Sequence, residues 1–87
     1  MELYESNRKN KRFVAIIKGK KYNFGLKNGS TYIDHHDKIK RQNYIKRHQV
    51  RENWNEVNSG SLSRWILWGD STSLERNIKD YIKKFNL

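Results

Sequence analysis

Two histidines flanked by two aspartates, Asp34-His35-His36-Asp37, are where this 87-residue chain gathers metal-ligand chemistry. Imidazole nitrogens and carboxylate oxygens together suit zinc or another divalent ion. Adjacency works against that use, because neighbours on a helix do not share a face and neighbours on a strand point to opposite sides. At most two of the four converge, and His48 is the one other histidine. The expected role is cap and turn, with Asp34 starting a helix and Asp37 opposing its dipole. No metal site is expected. A small metal-dependent nuclease would draw on His36, Asn43 and His48 for base and metal shell, with Arg or Lys holding the scissile phosphate. Their spacing does not match a His-Asn-His finger, in which a hairpin precedes the helix carrying the final ligand. The chain has no Gly-rich phosphate loop, no Ser-His-Asp order and no cysteine. No catalytic residue, cofactor or small-molecule substrate is assigned, and no enzyme is expected.

The second chemistry is charge. Nineteen Lys and Arg face nine Asp and Glu, a formal net charge of +10. Residues 8 to 51 hold fourteen of the basic residues and two of the acidic ones, so the excess is one-sided. Such a block attracts polyanions or acidic protein surfaces. Its centre is a basic helix, Ile39 to Arg51, carrying Lys40, Arg41, Lys46, Arg47 and Arg51, with Lys38 just before it. Lys40, Arg47 and Arg51 share a face, with Tyr44 between them. That stripe suits phosphates with an aromatic to stack, or an acidic protein surface, where Arg and Tyr anchor interfaces. Lys9, Lys11 and Arg12 add cations near the N-terminus.

Trp65 and Trp68 resemble a base-stacking platform only in type. Trp65 and Trp68 sit amid Leu62, Ile66 and Leu67, which reads as core. The final helix carries Arg76, Lys79, Lys83 and Lys84 but also Glu75 and Asp80, so a DNA-reading helix-turn-helix is not favoured.

The elements that position these residues follow from periodicity. Residues 1–11 read as a polar arm with a basic end. Arg12 to Lys18 is a β-branched apolar run of strand length, and Tyr22, Phe24 and Leu26 alternate with polar positions. Lys27-Asn28-Gly29 signals a tight turn, and Ser30 to Ile33 a third strand. A basic helix follows, then a Trp54-bearing loop ending at Asn58-Ser59-Gly60. Ser61 suits the cap of a helix through Trp65 and Trp68, with Gly69 as its left-handed end. Thr72 and Glu75 make a capping box for the last helix, whose face is Leu74, Ile78, Tyr81, Ile82 and Phe85. The expectation is one α+β domain over 12–87, a three-stranded antiparallel β-meander followed by about three helices ending in a helix hairpin. Apolar residues are 34% and aromatics 13%, so the core is small and aromatic. No run reaches the roughly 18 apolar residues of a membrane span, and no membrane partner is expected.

An ordered string of small motifs runs through the chain. It comprises Phe24-Gly25, Tyr32-Ile33-Asp34-His35 with Asp37, Tyr44-Ile45-x-Arg47-His48, Glu52-Asn53-Trp54, Gly60, Ser63-Arg64-Trp65-x-x-Trp68 and Leu74-x-x-x-Ile78-x-x-Tyr81. In this the chain resembles an uncharacterised family of small basic proteins of nucleocytoplasmic large DNA viruses, over roughly residues 22 to 85. The family's commoner form reads SRWLLWN where this chain has SRWILWGD, and lysine where it has His36. The resemblance implies a large DNA virus and a place in the virion, or in host cytoplasm or nucleus during infection. It brings no catalytic residue. The functional expectation is a non-enzymatic minor capsid or cement-type protein docking acidic surfaces of coat proteins. The alternative is a protein that binds or condenses the viral genome with the same cations.

Overall fold

The chain opens on a strand. In the computed structural model, which describes residues 1–87, β1 (Glu2–Glu5), β2 (Lys11–Ile17) and β3 (Lys20–Leu26) form an antiparallel sheet in the order β1-β2-β3. The expected meander is present, moved one strand towards the N-terminus. The arm expected over 1–11 instead contributes β1, because Leu3 pairs with Ala15 and packs on the core beside Met1. The β2–β3 turn places Lys18 and Gly19 at φ 50° and 80°, the paired positive values of a type I′ hairpin.

The strand expected over residues 30–33 is also corrected. Thr31 starts a one-turn helix, α1 (Tyr32–His35), and the Asp34 carboxylate reaches back to accept the Thr31 N–H and hydroxyl, both at 2.8 Å. That reciprocal closure outcompetes the β-propensity of Thr31 and Ile33. Asp37 then caps α2 (Lys38–His48), accepting from the N–H groups of Ile39 and Lys40 at 2.9 and 3.2 Å. Asp37 takes the N-cap of the basic helix that Asp34 was expected to provide, and Asp34 instead closes the first turn of α1 from its third position.

The helix after the Trp54 loop starts at Asn58 rather than Ser61. Asn58 Oδ1 accepts the Ser61 N–H at 2.7 Å while Ser61 Oγ accepts the Asn58 N–H at 3.1 Å, so the apparent loop signal is a cap. This helix, α3 (Ser59–Leu62), continues as a π-turn over Ser63–Leu67, closed by the Trp68 N–H donating to the Ser63 carbonyl at 3.0 Å. The last helix, α4 (Leu74–Lys84), is capped by Ser73, one residue beyond Thr72, through a bond from the Arg76 N–H.

One face of the sheet carries Phe13, Ala15, Ile17 and Phe24, and α3, the π-turn and α4 lay Leu62, Ile66, Leu67 and Tyr81 on it. Each of these larger side chains contributes about 1.5–3 kcal/mol by leaving water. The opposite face, with Tyr4, Val14 and Ile16, is uncovered. The hairpin corner is pinned by Asn77, only 1% exposed, whose Nδ2 donates to the carbonyls of Ile66 and Ser71 and whose Oδ1 accepts the Ser71 N–H. Gly69 is not the left-handed residue expected. It is needed for space, since a Cβ there would collide with the Trp65 carbonyl and come within 2.9 Å of Asn77 Nδ2.

Gly69→Ala is therefore expected to cost about 3 kcal/mol, because backbone rather than a flexible side chain is in the way. Gly19→Ala meets nothing within 4 Å and is expected to cost only about 1 kcal/mol, from its left-handed φ. Urea denaturation of both variants, at equal slope, checks the difference.

Candidate functional site

The Asp-His-His-Asp run serves the backbone. Asp34 and Asp37 are the caps already described, and His35 Nδ1 accepts the Asp37 N–H at 2.9 Å. The His35 ring lies 5.3 Å from Trp68, and its Nε2 is buried with no hydrogen-bond partner. His36 ends α1 at φ 59°, its Nε2 3.2 Å from the Ile33 carbonyl. No three His, Cys, Asp or Glu side chains come together as a metal-holding group. His36 ends α1 while Asn43 and His48 lie on α2, about 7 Å apart along its axis, and the three are not brought together as a ligand set.

The predicted basic set divides in two. Arg12 and Arg41 are corrected from partner-facing to internal. Arg12 makes a two-pronged contact with Asp34, at 2.7 and 2.8 Å. Arg41 donates from Nε to the carbonyls of Trp68 and Gly69, at 3.2 and 3.0 Å, and from Nη2 to Asp70 at 2.9 Å. Tyr44 is corrected as well: at 6% exposure it offers no ring to a partner. It is stacked between Trp68, at 4.4 Å and 3°, and His48, at 4.3 Å and 27°. Burial pushes its hydroxyl pKa well up, and the nearby Glu52 charge adds to this. Lys9, Lys38, Lys40, Lys46, Arg47 and Arg51 are exposed and Lys11 half-buried, and none has a carboxylate at ion-pair distance.

The predicted packing set is in place. Tyr81 is fully buried with its hydroxyl 2.9 Å from Ser61 Oγ. Trp65, Trp68, Leu74, Ile78 and Phe85 pack around the core, and Trp54 is half-buried. Arg64 was not foreseen. It is 8% exposed, its guanidinium 4.2 Å from the Trp65 ring and 5.2 Å from Trp54, with Nη1 donating to the Trp68 carbonyl at 2.9 Å. Burial first, and then the Arg41 charge, lower its pKa. Its place inside Ser63-Arg64-Trp65-x-x-Trp68, among residues read as core, was the available signal.

A second unforeseen group closes α2. His48 Nδ1–H donates to Glu52 Oε2 at 2.8 Å, and Trp54 Nε1–H donates to Glu52 Oε1 at 2.8 Å. The i, i+4 spacing of His48 and Glu52 was the sequence signal. This group borders a crevice of about 300 Å³ between the β3–α1 connection and α2. Gly25, Tyr44, Arg47, His48, Glu52, Gly60, Ser63 and Trp68, scattered along the motif string, all line it, and Lys11 joins them from β2.

The Arg12–Asp34 pair has a pH signature. The Arg12 guanidinium, helped by Thr31, holds the Asp34 carboxyl far below the usual carboxylate range, and partial burial opposes this only in part. The stability it brings is fully present above the unfolded-state pKa of roughly 4 and is lost as pH falls through the lowered folded value. Asp34 keeps 34% side-chain exposure, so solvent screens the pair and Asp34→Asn is expected to cost on the order of 1 kcal/mol at pH 7. Urea melts at pH 7, 4 and 2.5 should show the gap between parent and variant shrinking with acid.

No curated protein and no solved structure matches the chain. A family model does match residues 1–48, which take in the whole sheet, α1 and α2. The match spans more than half of the sequence, and the chain belongs to that family of unknown function, DUF5754.

Proposed function

We propose that the protein is a non-enzymatic docking module whose α2 face binds an acidic protein surface. The observation that carries this reading is the exposure of two branched aliphatics among unpaired cations. Ile39 is 71% and Val50 78% exposed. With Asn43 and Lys46 they form one stripe at spacings of four, seven and eleven, nearly opposite the buried side of Arg41, Tyr44 and His48. Lys40, Arg47 and Arg51 flank it. Phosphates have no use for Ile39 and Val50, whereas a protein interface centres on apolar side chains inside a charged rim. The exposed cations steer such a partner and set its orientation. Tyr44 is unavailable for base stacking, which removes the aromatic half of a single-strand binding surface.

The resemblance to small basic proteins of large DNA viruses supports coat subunits of a virus particle as the acidic partner, and the role of a minor capsid or cement-type protein. Genome binding by the same cations is the rival outcome.

Cross-linking of intact particles is expected to join Lys40 and Lys46 to coat-protein carboxylates. The double variant Ile39→Ser, Val50→Ser should weaken coat binding about tenfold or more, from about 1.5 kcal/mol or above of lost apolar contact, while leaving the melting midpoint unchanged. Duplex DNA should bind negligibly near physiological salt. A salt slope worth several phosphates, lost when Lys40, Lys46, Arg47 and Arg51 become Gln, would transfer the assignment to the genome.

A further inference from the structure

His48 is held from several sides. Its Nδ1–H points at Glu52, and its ring lies on Tyr44. Glu52 is itself fixed by the Trp54 indole, and Gly60 leaves it room, since a Cβ there would come within 2.9 Å of Oε1. A proton committed to Nδ1 sets the tautomer, so Nε2 is the nitrogen with a free lone pair. Nothing in the fold takes Nε2, and it is not sealed from solvent, the side chain keeping 35% exposure. A carboxylate that orients an imidazole in this way readies the opposite nitrogen for a ligand.

The crevice that His48 lines also carries cations. Lys11 and Arg47 line the same 300 Å³ crevice, as does Ser63. Neither cation has a carboxylate at ion-pair distance, and the Ser63 hydroxyl makes no hydrogen bond within the protein. The one acidic side chain present, Glu52, has both oxygens engaged. Leu67 and Trp68 supply apolar lining.

We infer that this crevice binds a phosphomonoester. Lys11 and Arg47 supply the charge-assisted donors that phosphate oxygens take, and the Ser63 hydroxyl a neutral one. The remaining proton of a monoester monoanion, with a pKa of about 6, is donated to the free lone pair of His48 Nε2. A sulfate ester or a phosphodiester has no such proton to share. The volume is at the lower end of small-ligand sites and accommodates the phosphate with one small substituent against Leu67 and Trp68. The phosphate belongs either to a free small molecule or to the 5′ end of a nucleic-acid strand, which present the same chemistry.

The test is a titration of the intact protein with phenyl phosphate, followed by the imidazole nitrogen resonances of its three histidines. A saturable shift at His48 Nε2 is expected, with phenyl sulfate binding at least tenfold more weakly. Arg47→Gln, at the surface, and Lys11→Gln, half-buried on β2, should each weaken phenyl phosphate about tenfold, the loss of one charge-assisted bond. Lys79→Gln on α4 should change nothing. An oligonucleotide with a 5′-phosphate binding more tightly than phenyl phosphate, and than its 5′-hydroxyl form, would identify the strand end as the source. Equal binding of phosphorylated oligonucleotide and phenyl phosphate would identify a free phosphomonoester. Shifts that do not saturate, equal affinity for phenyl sulfate, or equal losses in Lys79→Gln would overturn the assignment. The Ile39→Ser, Val50→Ser variant should bind phenyl phosphate normally, which keeps this site separable from the docking face.

Discussion

Two guanidinium groups meet at one helix end, and the architecture turns on that meeting. The carbonyls of Trp68 and Gly69 close the π-turn, where a helix leaves its last acceptors without partners and carries partial negative charge. Arg41 arrives from α2 and Arg64 from the π-turn itself, and both donate to the Trp68 carbonyl. Two like charges this close repel, and the fold answers in two ways. Asp70 pairs with Arg41, while Arg64 lies over the faces of Trp54 and Trp65, where the ring quadrupoles favour a cation. The Trp68 ring, on the same residue, stacks on Tyr44. Through Trp68, α2 is joined to the α3–α4 hairpin by a carbonyl and a ring at once.

That junction explains why the site lies where it does. Tyr44 carries His48 on its other face, so the Trp68 contact that docks α2 also sets the imidazole. Tyr44 is therefore unavailable as a recognition group because it is the spacer between the junction and the crevice. With its inner side occupied, α2 presents Ile39, Asn43, Lys46 and Val50 outward. The outward aliphatic stripe and the crevice are consequences of one helix orientation.

What was legible in the sequence was what local periodicity and composition record. A β-branched apolar run gave β2, alternation gave β3, the four-and-seven spacing gave α4, and the aromatic clusters gave the core. β1 was not legible because a strand with one inward apolar residue, Leu3, has no measurable period and is held by its ladder with β2. α1 was missed because Thr31 and Asp34, three apart, favour a capped turn by side-chain bonding, which outweighs the β-branched composition around them. The caps moved by one to three residues because Asn, Ser and Thr crowd each boundary, and tertiary contacts choose among them. Ser61, for instance, is drawn inward by the Tyr81 hydroxyl, which leaves the N-cap to Asn58. For the site, charge was legible as a total but not as a division between inward and outward cations, since that depends on which side of α2 meets Trp68.

Cation type supplies a rule that the total did not. Arg12, Arg41 and Arg64 are the basic residues with internal hydrogen bonds to carboxylate or carbonyl oxygens over long or buried paths, and all three are arginines. A planar fork satisfies two acceptors at fixed geometry and tolerates partial desolvation, where an ammonium would forfeit its hydration for one bond. Lysines here stay outward, and Lys84 keeps to the surface even where its ammonium lies over Trp65. By that rule an exposed arginine without an internal partner stands out. Arg47 and Arg51, at the end of α2, are such residues. Arg47 stands between the aliphatic stripe and the His48 crevice, and the fold itself provides its fork with no carboxylate.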